Sequence, residues 1–335
     1  MVRPGTRNLI TDVAGLRVGH AEDRKVLSGT TVLVADAPLL AVADLRGGAP
    51  GSREVDVLDP INLVGRADAI VLSGGSVHGL DSASGVVAAL RAKDRGYRMS
   101  LASPSAPIVP AAVLFDLANG GDKDWGEESP YRALGRAAFD AAAESFALGN
   151  AGAGLGARAG IYKGGVGSAS AMTDDGFTVG ALAAVNSVGS PLVPGTDVFW
   201  AFPFEQNSEF GGRRLQHEPN GELDLPSDMK VPEPGTNTTL AIVAVDADVT
   251  AVELKRIAVM ASDGFARALR PVHTPFDGDI VFAVTTGRRP VGEPRPRTLM
   301  RLGSLASDCL SRAIARGVFE ARSIGAMPSY REFFA

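Results

Sequence analysis

The stretch "EPGTNTTLAIVAVDADVT" (residues 233–250) places a Pro-Gly turn and the residues Asn237-Thr238-Thr239 directly before a run of strand-forming residues. The apolar residues that follow are uninterrupted from Leu240 to Val245. Such a run is typical of a strand that is covered on both faces. A turn residue followed by two β-branched residues is an ordinary way to begin a strand, so one interpretation of this stretch is purely structural.

The same residues also fit an N-terminal nucleophile that is made by self-cleavage. A threonine hydroxyl is a weak nucleophile and needs a nearby base. If the peptide bond between Asn237 and Thr238 breaks, Thr238 gains an α-amino group with a pKa of about 8. This amine lies next to the hydroxyl and accepts its proton at neutral pH, so that one residue supplies both nucleophile and base. The expected products are residues 1–237 and 238–335.

Outside this stretch, strand-like and helix-like runs alternate irregularly along the chain. We predict strands over residues 30–36, 67–74, 177–185, 238–245 and 279–286, and helices over 78–95, 130–146, 251–269 and 298–320. The third helix begins with a capping box, Thr250 to Glu253. Because the order is not a strict strand–helix–strand repeat, the pattern favours one layered α/β sandwich domain over a doubly wound sheet.

Residues 188–236 lack periodicity and are rich in Pro, Gly, Asn and charged residues. A loop of this length within a compact domain is unusual, and it indicates a functional or mobile segment. After cleavage this segment would become a free tail, at little cost to the core.

The composition excludes several classes of protein. The 335 residues are 45% hydrophobic and 21% charged with a formal net charge of −5, which is typical of a globular protein and unlike one that binds nucleic acid. The sequence shows no signal peptide and no apolar run long enough to span a membrane. The single cysteine, Cys309, has no partner for an internal disulfide. We therefore expect a cytoplasmic protein without nucleic-acid or membrane partners.

Other catalytic motifs are poorly supported. The sequence contains no Gly-x-Ser-x-Gly, and Ser76 and His78 are too close together to form a triad pair. The four histidines are scattered, and Asp277 and Asp279 alone would make a weak metal site. The glycine-rich stretch 150–160 follows a helical pattern instead of the strand that a dinucleotide loop requires. We expect neither a metal nor another cofactor.

Three segments carry a resemblance to a known family: "ITDVAGLRVGHAED" (10–23), "DLRGGAPGSREVDVLDP" (44–60) and "AIVLSGGSVHGLDSASGVVAAL" (69–90). They resemble signature segments of the self-processing aminopeptidase and amidase family. This family includes the L-aminopeptidase/D-Ala-esterases, the β-peptidyl aminopeptidases and the nylon-oligomer (6-aminohexanoate oligomer) hydrolases. The resemblance extends over about residues 8–325. It implies a four-layer αββα sandwich that resembles the N-terminal nucleophile hydrolases but connects its strands differently.

The resemblance also implies roles for single residues. "GTNTTLAIVAV" resembles the family's processing site, and Asn-Thr-Thr is the order of the nylon-oligomer branch, so Thr238 becomes the nucleophile. Lys163 matches a lysine near that nucleophile, where a buried ammonium would lower the pKa of the amine and hold the hydroxyl; from its residues alone it is equally a solvated loop lysine. Asn186 matches an asparagine that donates to the oxyanion; without the family it reads as a turn residue at a strand end.

Further positions concern the free amine and the substrate pocket. Asp277 and Asp279 match two carboxylates of the nylon-oligomer branch that would orient the amine of Thr238 or bind a substrate ammonium; the structural alternative is an Asp-Gly turn before a strand. Phe115 stands where the family has a tyrosine, so a hydrogen-bond donor is missing. The resemblance places Gly75, Ser76 and Phe115 in the substrate pocket.

These features predict a self-processing amide hydrolase that acts on linear aliphatic amides such as 6-aminohexanoate oligomers. One alternative is an aminopeptidase that acts on small α- or β-peptides. A second is a binding or assembly protein that never cleaves itself. Relatives form tetramers or larger rings, which implies a homo-oligomer, with a tetramer of αβ units as the expected assembly.

Overall fold

A computed structural model describes residues 2–100, 102–219, 222–223, 225–230 and 237–335. Its strands are β1 (Leu16–Asp23), β2 (Ser28–Leu45), β3 (Gly51–Arg53), β4 (Arg66–Ser73), β5 (Ala111–Val113), β6 (Arg158–Ala159), β7 (Tyr162–Lys163), β8 (Gly165–Met172), β9 (Thr178–Asn186), β10 (Thr238–Asp248) and β11 (Ile280–Pro290). Its α-helices are α1 (Ser82–Ala92), α2 (Tyr131–Asp140), α3 (Ala251–Ala266), α4 (Arg295–Phe319) and α5 (Tyr330–Phe333).

One mixed sheet contains nine of the described strands, in the order β3-β5-β4-β2-β11-β10-β9-β8, with β1 added beside β2, and β6 and β7 form a separate two-stranded sheet. The long strand β2 belongs to two halves of this sheet. The first half contains β1, β3, β4 and β5, and the second contains β8, β9, β10 and β11. Its first part pairs with β1 and β4, and its last part pairs with β11. The exposed residues 36–38 interrupt its burial between the two parts. An apolar cluster joins Leu33 and Ile70 of the first half to Ile242 and Phe282 of the second, so the two halves lie face to face.

Helices cover the outer face of each half. Apolar residues of α1 and α2 pack with β2 and β4 of the first half, and those of α3 and α4 pack with β9, β10 and β11 of the second. The layers are therefore helices, sheet half, sheet half and helices. This arrangement confirms the expected four-layer αββα sandwich. None of the helices among the described residues is both long and apolar enough to span a membrane.

The predicted elements all have counterparts, with two kinds of difference. Helix α2 ends at Asp140 instead of residue 146, because Ala143 pairs through its backbone with Val18 of β1. Strand β8 was not predicted, since "GVGSASAM" has no apolar pattern. Its glycines let helix α4 lie directly on the strand: a Cβ on Gly167 would stand 1.9 Å from the carbonyl oxygen of Ala313. The capping box at Thr250 and Glu253 is present at the start of α3.

The pleat of β10 directs its first two residues to opposite sides. Even-numbered residues such as Leu240 and Ile242 face the interior between the sheet halves, and odd-numbered residues such as Ala241 and Val243 face α3 and α4. Thr238 therefore lies on the interior side. Thr239 lies on the helix side.

Candidate active site

Thr238 stands where β10 begins, next to the residue that sequence reasoning assigned to the oxyanion. In the antiparallel pairing of β10 with β9, Thr238 is directly opposite Asn186. Both side chains lie on the same face of the sheet, and each is at most 4% exposed. The Thr238 hydroxyl donates a hydrogen bond to the carbonyl oxygen of Asn237. The hydroxyl thus already contacts the peptide group that self-cleavage would attack.

The loop Asp277-Gly278-Asp279 encloses this peptide group. Asn237 pairs with Asp277 as a parallel bridge, and the backbone N–H of Gly278 donates to the Asn237 carbonyl oxygen at 3.0 Å. A Cβ on Gly278 would lie 2.6 Å from the Thr238 hydroxyl oxygen, closer than atoms approach without displacement. Glycine at this position therefore lets an N–H donor and the hydroxyl meet at the same carbonyl.

Both carboxylates of the loop are about 1% exposed and fully engaged in hydrogen bonds. Asp277 accepts from Val188 N at 3.1 Å and from the backbone and hydroxyl of Thr274. Asp279 accepts from Thr239 N at 2.7 Å and from His273, whose Nδ1 lies 2.9 Å away. Burial, reinforced by the charge of Asp279, raises the pKa of Asp277.

Asp277 and Asp279 contact the residues on either side of Thr238. Among the described contacts, neither carboxylate accepts a hydrogen bond from the backbone N–H of Thr238. Asp279 holds the following residue, Thr239, and Asp277 pairs with the preceding one, Asn237. The turn before β11 spans residues 274–277, where Asp277 N donates to the Thr274 carbonyl oxygen at 3.1 Å, and it does not include Gly278. The Asp-Gly turn of the structural alternative is therefore not formed. The orientation of a free amine by these carboxylates stays a prediction.

The signature segment "RGGAPG" binds the backbone of the acidic loop Asp277-Gly278-Asp279. Arg46 N and Gly47 N both donate to the Asp279 carbonyl oxygen, at 3.0 and 3.2 Å, and Ala49 N donates to the Asp277 carbonyl oxygen at 2.8 Å. A Cβ on Gly47 would stand 2.3 Å from backbone atoms of the acidic loop. Gly47 is therefore required for the close packing of this segment on the acidic loop.

The partners of the Asn186 side chain determine its orientation. Its oxygen accepts from Arg158 N at 2.9 Å and from the Lys230 ammonium at 3.1 Å. Its nitrogen donates to the Phe115 carbonyl oxygen at 3.0 Å. With donors facing the oxygen and an acceptor facing the nitrogen, the NH₂ group is held away from Arg158 and Lys230. Asn186 is thus a fixed amide beside Thr238. It ends strand β9, as the interpretation as a residue at a strand end requires, but that interpretation does not account for these contacts.

Lys163 is completely buried, so its interpretation as a solvated loop lysine is wrong. Its Nζ donates to the carbonyl oxygens of Gly154, Ala157 and Gly164, at 2.7, 2.9 and 2.7 Å. These bonds use all three donors of the ammonium, and none goes to the Thr238 hydroxyl. Burial lowers the pKa of Lys163 to about 7, while the three carbonyl acceptors favour the charged form.

Lys163 is instead linked to the Asn186 side chain through hydrogen bonds to one shared peptide group. The Ala157 carbonyl that it binds belongs to the same peptide group as the Arg158 N–H, and that N–H donates to Asn186. Hydrogen bonds linked in this way polarise one another. The buried ammonium therefore strengthens the donor that holds the Asn186 side chain.

We expect Lys163→Met to lower both stability and turnover. Methionine keeps the length of the side chain but removes the ammonium from three buried carbonyl oxygens. The Gly154 and Ala157 oxygens keep one backbone donor each, whereas the Gly164 oxygen loses the donor described for it, at about 1–3 kcal/mol. It also weakens the hold on Asn186. Thermal unfolding and the initial rate of amide hydrolysis measure the two effects. Lys25→Met is the matched control, because the Lys25 side chain is 78% exposed. An unchanged melting temperature for Lys163→Met would contradict this role.

A cleft of about 660 Å³ opens beside the nucleophile. Asn237 and Asn186, the chain neighbour and the cross-strand partner of Thr238, both line it. Phe115, which the resemblance placed in the substrate pocket, also lines it. Among the described residues, Gly75 and Ser76 are not part of this lining, and the pocket role predicted for them stays a prediction.

Gly75 does not line the cleft, but it binds a residue that does. Its N–H donates to the carboxylate of Asp116 at 2.8 Å, and Asp116 lines the cleft. Gly75 has a φ of +87°, and a Cβ there would stand 2.0 Å from the Tyr131 ring. Burial raises the pKa of Asp116. Ser76, whose N–H binds the Leu114 carbonyl, only continues this turn.

Sequence reasoning missed three contributors to the site: Gly278, His273 as a partner of Asp279, and Lys230. The sequence offered a signal only for Gly278, which stands between the two predicted aspartates. In the part of the chain that the structure describes, no three His, Cys, Asp or Glu side chains form a group that could hold a metal ion.

A buried threonine, a fixed amide and a polarised carbonyl within an αββα sandwich are the components of an amide-bond hydrolase. The family model described as peptidase family S58 matches residues 8–330. The chain therefore belongs to peptidase family S58, whose members hydrolyse peptide or amide bonds. A purely binding or assembly protein is correspondingly disfavoured.

Two relatives support this assignment. An uncharacterized aminopeptidase of Mycobacterium tuberculosis is 41% identical over 345 residues, covering 98% of each chain. A 6-aminohexanoate-oligomer endohydrolase of Agromyces sp. is 30% identical and covers 92% of this chain and 86% of its own.

Solved structures show the same fold. A β-aminopeptidase of Burkholderia sp. matches with a TM-score of 0.71 at 22% identity, over 98% of this chain and 91% of its own. The L-aminopeptidase D-Ala-esterase/amidase of Ochrobactrum anthropi, described as a new variant among the Ntn hydrolase fold, matches with a TM-score of 0.69 at 20% identity, over 97% of this chain and 90% of its own.

Proposed function

We propose that this peptidase cleaves itself between Asn237 and Thr238 and then uses Thr238 as an N-terminal nucleophile for amide hydrolysis. One observation carries the proposal: the Thr238 hydroxyl and the Gly278 N–H converge on the carbonyl oxygen of Asn237. The first group supplies the attacking oxygen, and the second stabilises the negative charge that develops on the carbonyl oxygen.

Maturation proceeds by an N→O acyl shift. The Thr238 oxygen attacks the Asn237 carbonyl carbon, and the hydroxyl proton passes to the departing amide nitrogen of Thr238 as the peptide bond breaks. Water then hydrolyses the resulting ester. The products are the α part, 1–237, ending in a carboxylate, and the β part, 238–335, beginning with a free amine.

Turnover repeats the same chemistry on a substrate. The free amine of Thr238 takes the hydroxyl proton as the oxygen attacks the substrate carbonyl, and returns the proton to the leaving amine. For the oxyanion we propose the Asn186 NH₂ group, one N–H of which binds the Phe115 carbonyl oxygen in the intact chain; such a donor contributes about 3 kcal/mol to the transition state. Water releases the acyl-enzyme.

For the substrate we propose linear aliphatic amides such as 6-aminohexanoate oligomers. The named endohydrolase of Agromyces sp. supports this class, and the cleft presents charges of both signs, with Asp116 against Arg158 and Lys230. Small α- or β-peptides are the second candidate, favoured by the 41% identical relative named as an aminopeptidase. A tetramer of αβ units and a cytoplasmic location stay predictions.

Intact-mass spectrometry of freshly purified protein tests self-cleavage. We expect two masses that match 1–237 and 238–335, and only the full-length chain for Thr238→Ala. The cleaved protein is then assayed with 6-aminohexanoate oligomers and with small α- and β-peptides. A single full-length mass for the wild-type chain would remove the amine on which the mechanism depends, and turnover by such an uncleaved chain would contradict it directly.

A further inference from the structure

Lys230 connects the two side-chain amides that flank the peptide bond to be cleaved. Its Nζ lies 3.0 Å from the side-chain oxygen of Asn237 and 3.1 Å from that of Asn186. Asn237 supplies the attacked carbonyl, and Asn186 is the cross-strand partner of Thr238. One ammonium thus contacts the residues on both sides of the Thr238 hydroxyl.

The segment that carries Lys230 is anchored to the rest of the molecule. Lys230 N donates to the Val188 carbonyl oxygen at 2.9 Å, and the Asp228 carbonyl oxygen accepts from Ile161 N at 2.9 Å. The Asp228 carboxylate accepts from the hydroxyls of Ser190 and Tyr162. Residues 226–230 are therefore held to the rest of the molecule in the intact chain, and Lys230 has a defined position. The free tail expected for 188–236 after cleavage stays a prediction.

The charge of Lys230 makes its hydrogen bonds strong, although burial and the neighbouring positive charges act against that charge. The side chain is partly buried and lines the cleft. Burial lowers the pKa of Lys230 to about 7; the positive charges of Arg158 and Lys163 act in the same direction, and the negative charge of Asp277 opposes them. Bonds from an ammonium to amide oxygens are roughly twice as strong as those between neutral groups.

We infer that Lys230 is a positioning residue for self-cleavage: it holds the side chains of Asn237 and Asn186 so that the Asn237 carbonyl faces the Thr238 hydroxyl. Asn237 is then fixed at two points, its side chain by Lys230 and its carbonyl by Gly278 N–H. Fixing the electrophile in this way removes rotational freedom before the attack. This role rests on the proposed self-cleavage.

The test follows the rate of self-cleavage in the full chain. Precursor made by cell-free translation is sampled over time at constant pH, and the fraction cleaved is read from intact masses. We expect Lys230→Met to cleave at least about tenfold more slowly, since small misplacements of reacting groups cost up to about a hundredfold. Lys230→Arg keeps charged donors and should recover most of the rate. Lys255→Met is the control, because Lys255 is also partly buried but binds Ala43 and Asp44 instead.

The rescue by arginine separates positioning from a structural role, provided that the melting temperatures of both Lys230 variants stay near that of the wild type. Wild-type rates for Lys230→Met would overturn the inference, as would an arginine variant as slow as the methionine variant. If Lys230→Met does not fold, Lys230→Gln replaces it and should also be slow, because its amide is neutral and its stem shorter. If the wild type and Lys255→Met stay uncleaved, the proposed self-cleavage itself is wrong.

Discussion

Replacing Thr238 by valine is expected to leave the chain uncleaved and inactive, whereas the same replacement at Thr239 leaves processing and turnover intact. Valine keeps the shape of threonine and removes only the hydroxyl. At Thr238 that hydroxyl contacts the Asn237 carbonyl. At Thr239 the hydroxyl lies on the helix side of β10, and among the described residues it has no hydrogen-bond partner.

The two variants form a matched pair at adjacent positions of one strand. Loss of a hydrolase nucleophile lowers turnover on the order of 10⁶-fold, so Thr238→Val should show no activity above background. Removing the unsatisfied Thr239 hydroxyl from the interior should leave the melting temperature equal or higher, because burying such a group costs about 1–3 kcal/mol. Intact masses, initial rates and thermal unfolding measure these outcomes. If Thr238→Val is cleaved and Thr239→Val is not, the nucleophile is Thr239 instead of Thr238.

The central strands and the place of Thr238 could be predicted because they depend on local patterns. A continuous apolar run predicts a buried strand whatever its neighbours are, and β10 and β11 both begin within two residues of the expected position. Strands without such a run were missed. β8 is stabilised by the close approach of α4, and that approach depends on Gly167 meeting a backbone carbonyl distant in sequence.

The site was predicted only in part, because many of its hydrogen bonds involve backbone groups. Almost every residue type offers these groups, so the sequence does not reveal which of them take part. Lys163 binds three carbonyl oxygens, and any residue offers a carbonyl. Its exclusive use of backbone acceptors could not be anticipated from the sequence, and neither could its link to Asn186 through a single peptide group. Lys230 lies in a segment without periodicity and meets Asn186 across 44 residues.

Gly278→Ala is expected to slow self-cleavage by at least about a hundredfold, the lower end of the effect of losing one oxyanion donor. The Gly278 N–H is the backbone donor at the Asn237 carbonyl oxygen. The new methyl group would stand 2.6 Å from the Thr238 hydroxyl oxygen and 2.7 Å from the Ala49 carbonyl oxygen. The backbone carbonyl cannot move aside easily, because Ala49 N is itself bound to the Asp277 carbonyl at 2.8 Å. The hydroxyl, the N–H or both must therefore shift away from the attacked carbonyl.

Gly292→Ala is the matched control, since no atom lies within 4 Å of the Cβ position at this exposed glycine. Both variants are followed by intact mass over time and by thermal unfolding. Gly278→Ala should fold, because the disturbance is confined to one loop, yet accumulate as the full-length chain while Gly292→Ala cleaves like the wild type. Wild-type cleavage by a folded Gly278→Ala would mean that the Asn237 carbonyl is not activated by this N–H, and the oxyanion of the maturation step would need another donor.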